Sequence, residues 1–321
     1  MAEKIRFRNG GVIAMRLAGI DIGTLTCRLL IVEITGEGKL ETLHSDRKML
    51  RLGEGVDRHK SLKPEAIDRV TKGVHEWQQT IQEFKVDRAI AVATSAVRDA
   101  HNREEFLTRI KQETGMEVEV INGEEEARRT LLGIRLALKP GVTDVLALDI
   151  GGGSTEFILS REGKNPTMTS MDMGVVRVTE RFFQNDPPSQ KEKDDAQQFI
   201  DDLTRKALTH LGDIGGAVLV GTAGSITTLS AMSQRLTTYD PVRIHNSLLT
   251  LAKIREMEGH LCEQTQIQRQ ELHGLESGRA EVIVAGAMIL RCIMERIGMD
   301  KCVVSEYGLR EGVLLDLAQR Q

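Results

Sequence analysis

Two glycine turns, each preceded by an aspartate, hold the residues of this chain best suited to chemistry: Asp21-Ile22-Gly23-Thr24-Leu25-Thr26 and Asp149-Ile150-Gly151-Gly152-Gly153-Ser154-Thr155. A glycine turn between two strands points several backbone N–H groups the same way, and such a concavity binds anionic oxygens without a basic side chain. Phosphate is its natural guest. The hydroxyls of Thr24 and Thr26 add donors at the first turn, and those of Ser154 and Thr155 at the second. One such turn is as readily a plain tight hairpin; two matching turns, each behind an aspartate, favour phosphate. Neither is a Walker loop, because no Gly-Lys-Ser/Thr follows, and neither is a GxGxxG leading directly into a helix. Asp149 is placed to hold a hydrated Mg²⁺ bridging phosphate oxygens, with Glu156 nearby on the returning strand. Each acid also has a bland reading, as a turn former or a solvated strand residue.

Two further segments carry candidate groups. Asn122-Gly123-Glu124-Glu125-Glu126-Ala127-Arg128 puts three carboxylates in the first turn of a helix. The helix dipole favours acids there, so capping is one explanation. The other is that one of them faces a cleft and deprotonates an attacking water. Ala93-Thr94-Ser95-Ala96-Val97-Arg98-Asp99 follows a short apolar strand and leaves Arg98 where that strand runs out. Its planar fork suits a phosphate clamp, or a pairing with Asp99 or a carbonyl. The eight histidines show no metal-ligand spacing.

These groups need a scaffold, and the pattern predicts an α/β chain. Strands are expected at 17–22 and 28–34 around the first turn, at 89–93 and at 118–121. Helices are expected at 64–84, 104–114 and 124–138. The theme restarts with strands at 144–150 and 154–159 around the second turn, then a strand at 217–220. Helices follow at 190–211 and 247–262, after Gly278, and at 309–319. The repeated opening predicts two similar lobes rather than a solenoid.

Composition narrows the partners. The chain has 321 residues, 43 Lys and Arg against 47 Asp and Glu, and a net charge of −4, which gives no global attraction to nucleic acid or to an acidic membrane. Aromatic residues at 3% leave little for stacking on bases. Scattered Cys27, Cys262, Cys292 and Cys302 argue for a reducing compartment, simplest the cytoplasm. The longest apolar run, 282–290, is too short to span a bilayer. Residues 1–15 lack the apolar core of a secretory signal, which leaves Met1 and Met15 as alternative native starts.

Taken in order, the segments resemble the exopolyphosphatase and guanosine pentaphosphate phosphohydrolase (Ppx/GppA) family. The resemblance runs through Ile20 to Thr24, Arg51-Leu52-Gly53-Glu54-Gly55, Ala93 to Arg98, Gly123 to Arg128, Asp149 to Glu156, Gly221-Thr222-Ala223-Gly224-Ser225 and Ser305 to Leu314. It implies two actin-like, ribonuclease H-like lobes, 1–124 and 125–307, with an active-site cleft between them and the last helix, 308–321, packing back on the first lobe. It also implies Glu126 as catalytic base, Arg98 as the phosphate-binding arginine, and Asp149 and Glu156 as acids placing metal and water. Asp21 joins them as a third metal candidate. Gly23, Thr24, Leu25 and Thr26, with Gly151, Gly152, Gly153, Ser154 and Thr155, become the phosphate loops. Gly221, Gly224 and Ser225 become a nucleoside-side loop. Mg²⁺ or another divalent cation is the expected cofactor. Polyphosphate or the phosphorylated guanine nucleotide pppGpp is the expected partner, and homodimerisation is a family-level expectation.

There are departures. The family usually has Asn where this chain has Leu25, so one amide donor is lost, and Asn122 stands where Ser is common, an exchange of one capping residue for another. Longer members carry a further helical part that grips long polymers, so highly processive action is not expected. Two rivals stay open: an actin-like kinase or ATPase, marked by acceptor-dependent ATP consumption, and a non-catalytic polyphosphate or alarmone sensor, marked by binding without phosphate release.

Overall fold

The computed structural model describes residues 15–35 and 40–320. The choice between Met1 and Met15 falls mainly on 1–14, outside the described residues. The chain divides into two compact units, residues 1–140 with 309–321, and residues 141–308.

The first unit opens with β1 (Met15–Ile22), β2 (Cys27–Ile34) and β3 (Leu40–Lys48). Then come α1 (Val56–His59), α2 (Pro64–Glu83), β4 (Arg88–Ala93), α3 (Ser95–Arg98), α4 (Arg103–Thr114), β5 (Val118–Val120) and α5 (Gly123–Ala137). Its sheet runs β3-β2-β1-β4-β5, antiparallel among the first three and parallel from β1 to β5. Strand alternation sends side chains to two faces. Ala18, Ile20 and Ile22 join the α2 residues Ile67, Val70, Val74 and Trp77 in one core. Leu17, Leu30, Val32 and Ile34 meet Leu314 and Leu317 of the last helix on the other side.

The second unit holds β6 (Val145–Ile150), β7 (Thr155–Ser160), β8 (Thr167–Met171), α6 (Val175–Phe182), α7 (Gln190–Leu211), β9 (Val218–Thr222) and α8 (Gly224–Ser233). It continues with α9 (Pro241–Ile244), β10 (Leu248–Thr250), α10 (Leu251–Cys262), α11 (Gln266–Arg269), α12 (Ile283–Ile297) and β11 (Lys301–Val304). Its order, β10-β11-β9-β6-β7-β8, repeats the first sheet with β10 added at the edge. The apolar run at 282–290 becomes α12, buried along most of its length. The chain then returns to the first unit as α13 (Leu309–Gln319).

Three expectations shift. The helix expected from 247 starts at Leu251, because 248–250 pair antiparallel with β11 and the Thr250 hydroxyl then caps the helix by accepting from Lys253 N–H at 3.2 Å. The strands β3 and β8 escaped prediction because their sequences, LETLHSDRK and TMTSM, bury no continuous apolar face. Helix α5, which a boundary at 124/125 would split, belongs whole to the first unit.

Candidate active site

In the first unit β1 and β2 close through 23–26, with the Gly23 N–H donating to the Thr26 carbonyl at 3.2 Å. A Cβ at position 23 would lie 2.7 Å from that same oxygen, so the turn requires glycine. Residues 51–53 run along it: the Gly53 and Arg51 amides donate to the carbonyls of Thr24 and Leu25 at 2.8 and 2.9 Å. In a trans peptide the C=O and the following N–H point opposite ways. The Leu25 and Thr26 amides are therefore aimed away from that segment. Thr24 Oγ1 and Ser95 Oγ lie 3.0 Å apart, which ties the turn to the start of α3. Leu25 is 5% exposed. Its side chain fills the core while its amide keeps the direction the loop sets.

Helix α3 ends at Arg98, whose Nη1 donates to the Ile121 carbonyl at 3.0 Å and to Glu126 Oε2 at 3.2 Å. Among the described residues the guanidinium makes no further hydrogen bond, so Nε and Nη2 remain for a ligand oxygen. Glu126 sits in the first turn of α5, buried at 7% exposure. That helix is started by Asn122, whose Oδ1 accepts from Glu125 N–H at 2.8 Å. The three acids differ in surroundings: Glu124 is exposed, and Glu125 is gripped by Arg128 and Arg129. Those partners, Arg128 first, hold the Glu125 carboxyl below the usual range. Only Glu126 of the three meets Arg98. Asp21, also in this unit, stands opposite Arg28 across the hairpin.

In the second unit β6 and β7 close through 151–154, with the Gly151 N–H donating to the Ser154 carbonyl at 3.0 Å. The start of α6 packs on this loop. The amides of Val175, Val176 and Gly174 donate to the carbonyls of Gly151, Gly152 and Gly153 at 3.0, 2.8 and 3.1 Å, and Arg177 Nε donates to the Gly153 carbonyl at 2.8 Å. By the same trans geometry the amides of Gly152, Gly153 and Ser154 are directed away from α6, together, as an anion-binding nest requires. A Cβ on Gly174 would come within 2.3 Å of the Gly152 carbonyl carbon, so α6 reaches the loop only because that residue is glycine. Thr155 is fully buried and donates its hydroxyl proton to the Met173 carbonyl at 2.8 Å. It braces the loop rather than extending a donor from it.

Asp149 and Glu156 are direct cross-strand partners, 8% and 0% exposed, and Ser170 Oγ donates to Glu156 Oε1 at 2.7 Å. Among the described residues no group of three or more His, Cys, Asp or Glu is arranged to hold a metal ion by itself. Two carboxylates set directly opposite repel, and a divalent cation relieves that. Mg²⁺ at phosphate sites is commonly held by one or two carboxylates, water and the substrate's own oxygens. The pair fits Mg²⁺ in that shared mode and does not fit a closed protein cage.

The third loop is governed by packing. A Cβ on Gly221 would strike Ile226 and Cys302, one on Gly224 would strike the Arg279 guanidinium, and Ser225 is buried beside Gly286. Between them Ala223 adopts φ 73, ψ 172, a conformation L-residues rarely hold outside functional turns.

The family model described as the Ppx/GppA phosphatase family matches residues 30–321. The chain belongs to the Ppx/GppA phosphatase family. Among its Ppx/GppA relatives, Exopolyphosphatase 2 of Mycobacterium tuberculosis is 35% identical over 315 residues, covering 94% of this chain and 98% of that one. The crystal structure of the Aquifex aeolicus Ppx/GppA member superposes with a TM-score of 0.80 at 36% identity, over 95% of this chain and 98% of that one. An exopolyphosphatase from Cytophaga hutchinsonii gives 0.86 at 28% identity, over 94% and 97%. These likenesses make the α/β architecture with two mixed sheets a property shared with solved Ppx/GppA proteins.

Sequence reasoning missed the supports of this Ppx/GppA site: Ser95, Gly53, Gly174, Arg177 and Ser170. Ser95 and Gly53 lay in segments the resemblance ran through, Ala93 to Arg98 and Arg51 to Gly55, without a role of their own; a Cβ on Gly53 would lie 2.2 Å from Thr24 Cγ2. The others act through contacts that no spacing encodes.

Proposed function

We propose that this chain is a phosphohydrolase that releases terminal orthophosphate from inorganic polyphosphate and from pppGpp. The observation that carries the reading is the buried Glu126 carboxylate 3.2 Å from Arg98, a guanidinium with its other nitrogens available. That pairing suits a base beside a phosphate clamp: the arginine steadies the anionic chain, and the carboxylate takes a proton from the water that attacks the terminal phosphorus. The phosphorus–oxygen bond to the rest of the chain breaks, and orthophosphate leaves with a chain one phosphate shorter. In the first unit the Leu25 and Thr26 amides suit phosphate oxygens; in the second the amides of Gly152, Gly153 and Ser154 do the same. Such transfers rest mainly on positioning and electrostatics. Asp149 and Glu156 would hold Mg²⁺, which would supply charge neutralisation of the phosphates. Gly221, Gly224 and Ser225 are the segment for the nucleoside of pppGpp. A cytoplasmic setting fits the four unpaired cysteines, and a homodimer is the assembly the family suggests.

The test is product analysis on tripolyphosphate, long polyphosphate and pppGpp, with and without Mg²⁺. Orthophosphate and a chain shortened by one unit are expected, dependent on the cation. Pyrophosphate as first product, or binding without release, would overturn the reading.

A further inference from the structure

Three acids of identical chemistry, Glu124, Glu125 and Glu126, occupy the first turn of α5, stepped about 100° apart around its axis. Which of them meets Arg98 is therefore a question of the helix's rotation about its own axis. The Asn122 cap fixes where the helix starts, and a cap does not fix that rotation against the rest of the unit. Something else must.

A closed ring of six charges joins the same helix, through Glu125, Arg128 and Arg129, to Glu119 of β5 and to Asp316 and Arg320 at the end of the chain. Glu125 binds Arg128 at 2.6 Å, Arg128 binds Asp316 of α13 at 2.5 Å, and Asp316 binds Arg320 at 2.7 Å. Arg320 binds Glu119 at 3.1 Å, Glu119 binds Arg129 at 2.6 Å, and Arg129 returns to Glu125 at 2.6 Å. The two helices meet backbone to backbone at the same place, where a Cβ on Gly312 would lie 1.7 Å from the Arg129 carbonyl oxygen. Arg129 is 1% exposed, and its Nη1 is buried without a hydrogen-bond partner. For stability alone an apolar residue serves such a position as well or better. A guanidinium offers direction instead, because its fork accepts carboxylates only along fixed lines.

We propose that the ring Glu119–Arg129–Glu125–Arg128–Asp316–Arg320 is a rotational lock on α5: it removes Glu125 from competition and presents Glu126, alone of the three acids, to Arg98. Arg128 and Arg129 on α5 itself, and Asp316 on the helix that returns from the far end of the chain, are then positioning residues that act through Glu126. This rests on the reading of Glu126 as the base.

The lock is tested by steady-state kinetics on tripolyphosphate with the full chain carrying Asp316→Asn, Glu126→Gln, or both. Opening the ring is expected to lower kcat about tenfold with KM changed less than about twofold, and to add nothing further once Glu126 is Gln. Arg320→Ala, at the ring's outer edge, should show the same split at smaller amplitude, and it serves if Asp316→Asn does not fold. Wild-type kcat in both ring variants, a loss confined to KM, or an equal loss whether or not Glu126 is present would overturn the proposal. If residual turnover of Glu126→Gln is too low to measure, the split between kcat and KM decides. Undiminished turnover of Glu126→Gln itself would instead overturn the assignment of the base.

Discussion

Arg98 commits one nitrogen to the Ile121 carbonyl and to Glu126, which aims the rest of its fork without consuming it. Lysine would keep the charge and lose that division of labour. Arg98→Lys is expected to lower kcat/KM on tripolyphosphate about 10²-fold, measured by phosphate release, while thermal unfolding stays close to wild type. The residues around Arg98 showed a cation at the end of a strand, suited to a phosphate clamp or to pairing with Asp99 or a carbonyl, and the family resemblance favoured the clamp. The carbonyl is indeed one partner, and the carboxylate 28 residues further on is the other. Separation along the chain hid that contact, since no local pattern encodes it. The three consecutive glutamates were equally ambiguous: their composition announces a helix start, and only tertiary neighbours separate an exposed acid, an arginine-held acid and a buried one.

At the scale of elements, both glycine turns gain their amide direction from a neighbour that takes up their carbonyls, residues 51–53 for the first and the start of α6 for the second. The turns themselves were legible in the sequence; α6 was not, although its first residues determine which way the second turn faces. Gly174→Ala should displace that loop. It is expected to cost about 1–3 kcal/mol of stability by overpacking, read by urea unfolding, and to raise KM for every phosphate substrate tried. The attachment of α13 to α5 carries a pH signature. Burial opposes it, yet the arginines hold Asp316 and Glu119 below their ordinary range, and Arg128 does the same for Glu125. Carboxyls depressed in the folded state stabilise it above their unfolded pKa, and that contribution is lost as pH falls through the folded value. Wild type should therefore lose more thermal stability than Asp316→Asn as pH falls from about 6 to about 3, into the range where carboxylates begin to protonate. Equal losses would show that the ring does not hold the helix.

Over the whole molecule, the repeated strand–turn–strand opening foretold two related units, and the repeated strand order carries that through. Where the chain passes from one unit to the other was less legible. The lobe boundary expected at 124/125 falls inside α5, whose charged face is the surface on which α13 closes. Truncation after Gly308 would uncover Leu17, Leu30, Val32 and Ile34 on one face of the first sheet. Loss of soluble protein, with proteolysis concentrated in the first unit, is the expected outcome by expression and limited digestion. The central claim is that Glu126 is the base of a phosphohydrolase, and it is tested most directly by Mg²⁺-dependent phosphate release from wild type and Glu126→Gln, with tripolyphosphate binding measured in parallel. A fall in kcat of about 10²–10⁴-fold with binding nearly intact is the predicted result; turnover by Glu126→Gln equal to wild type would contradict it.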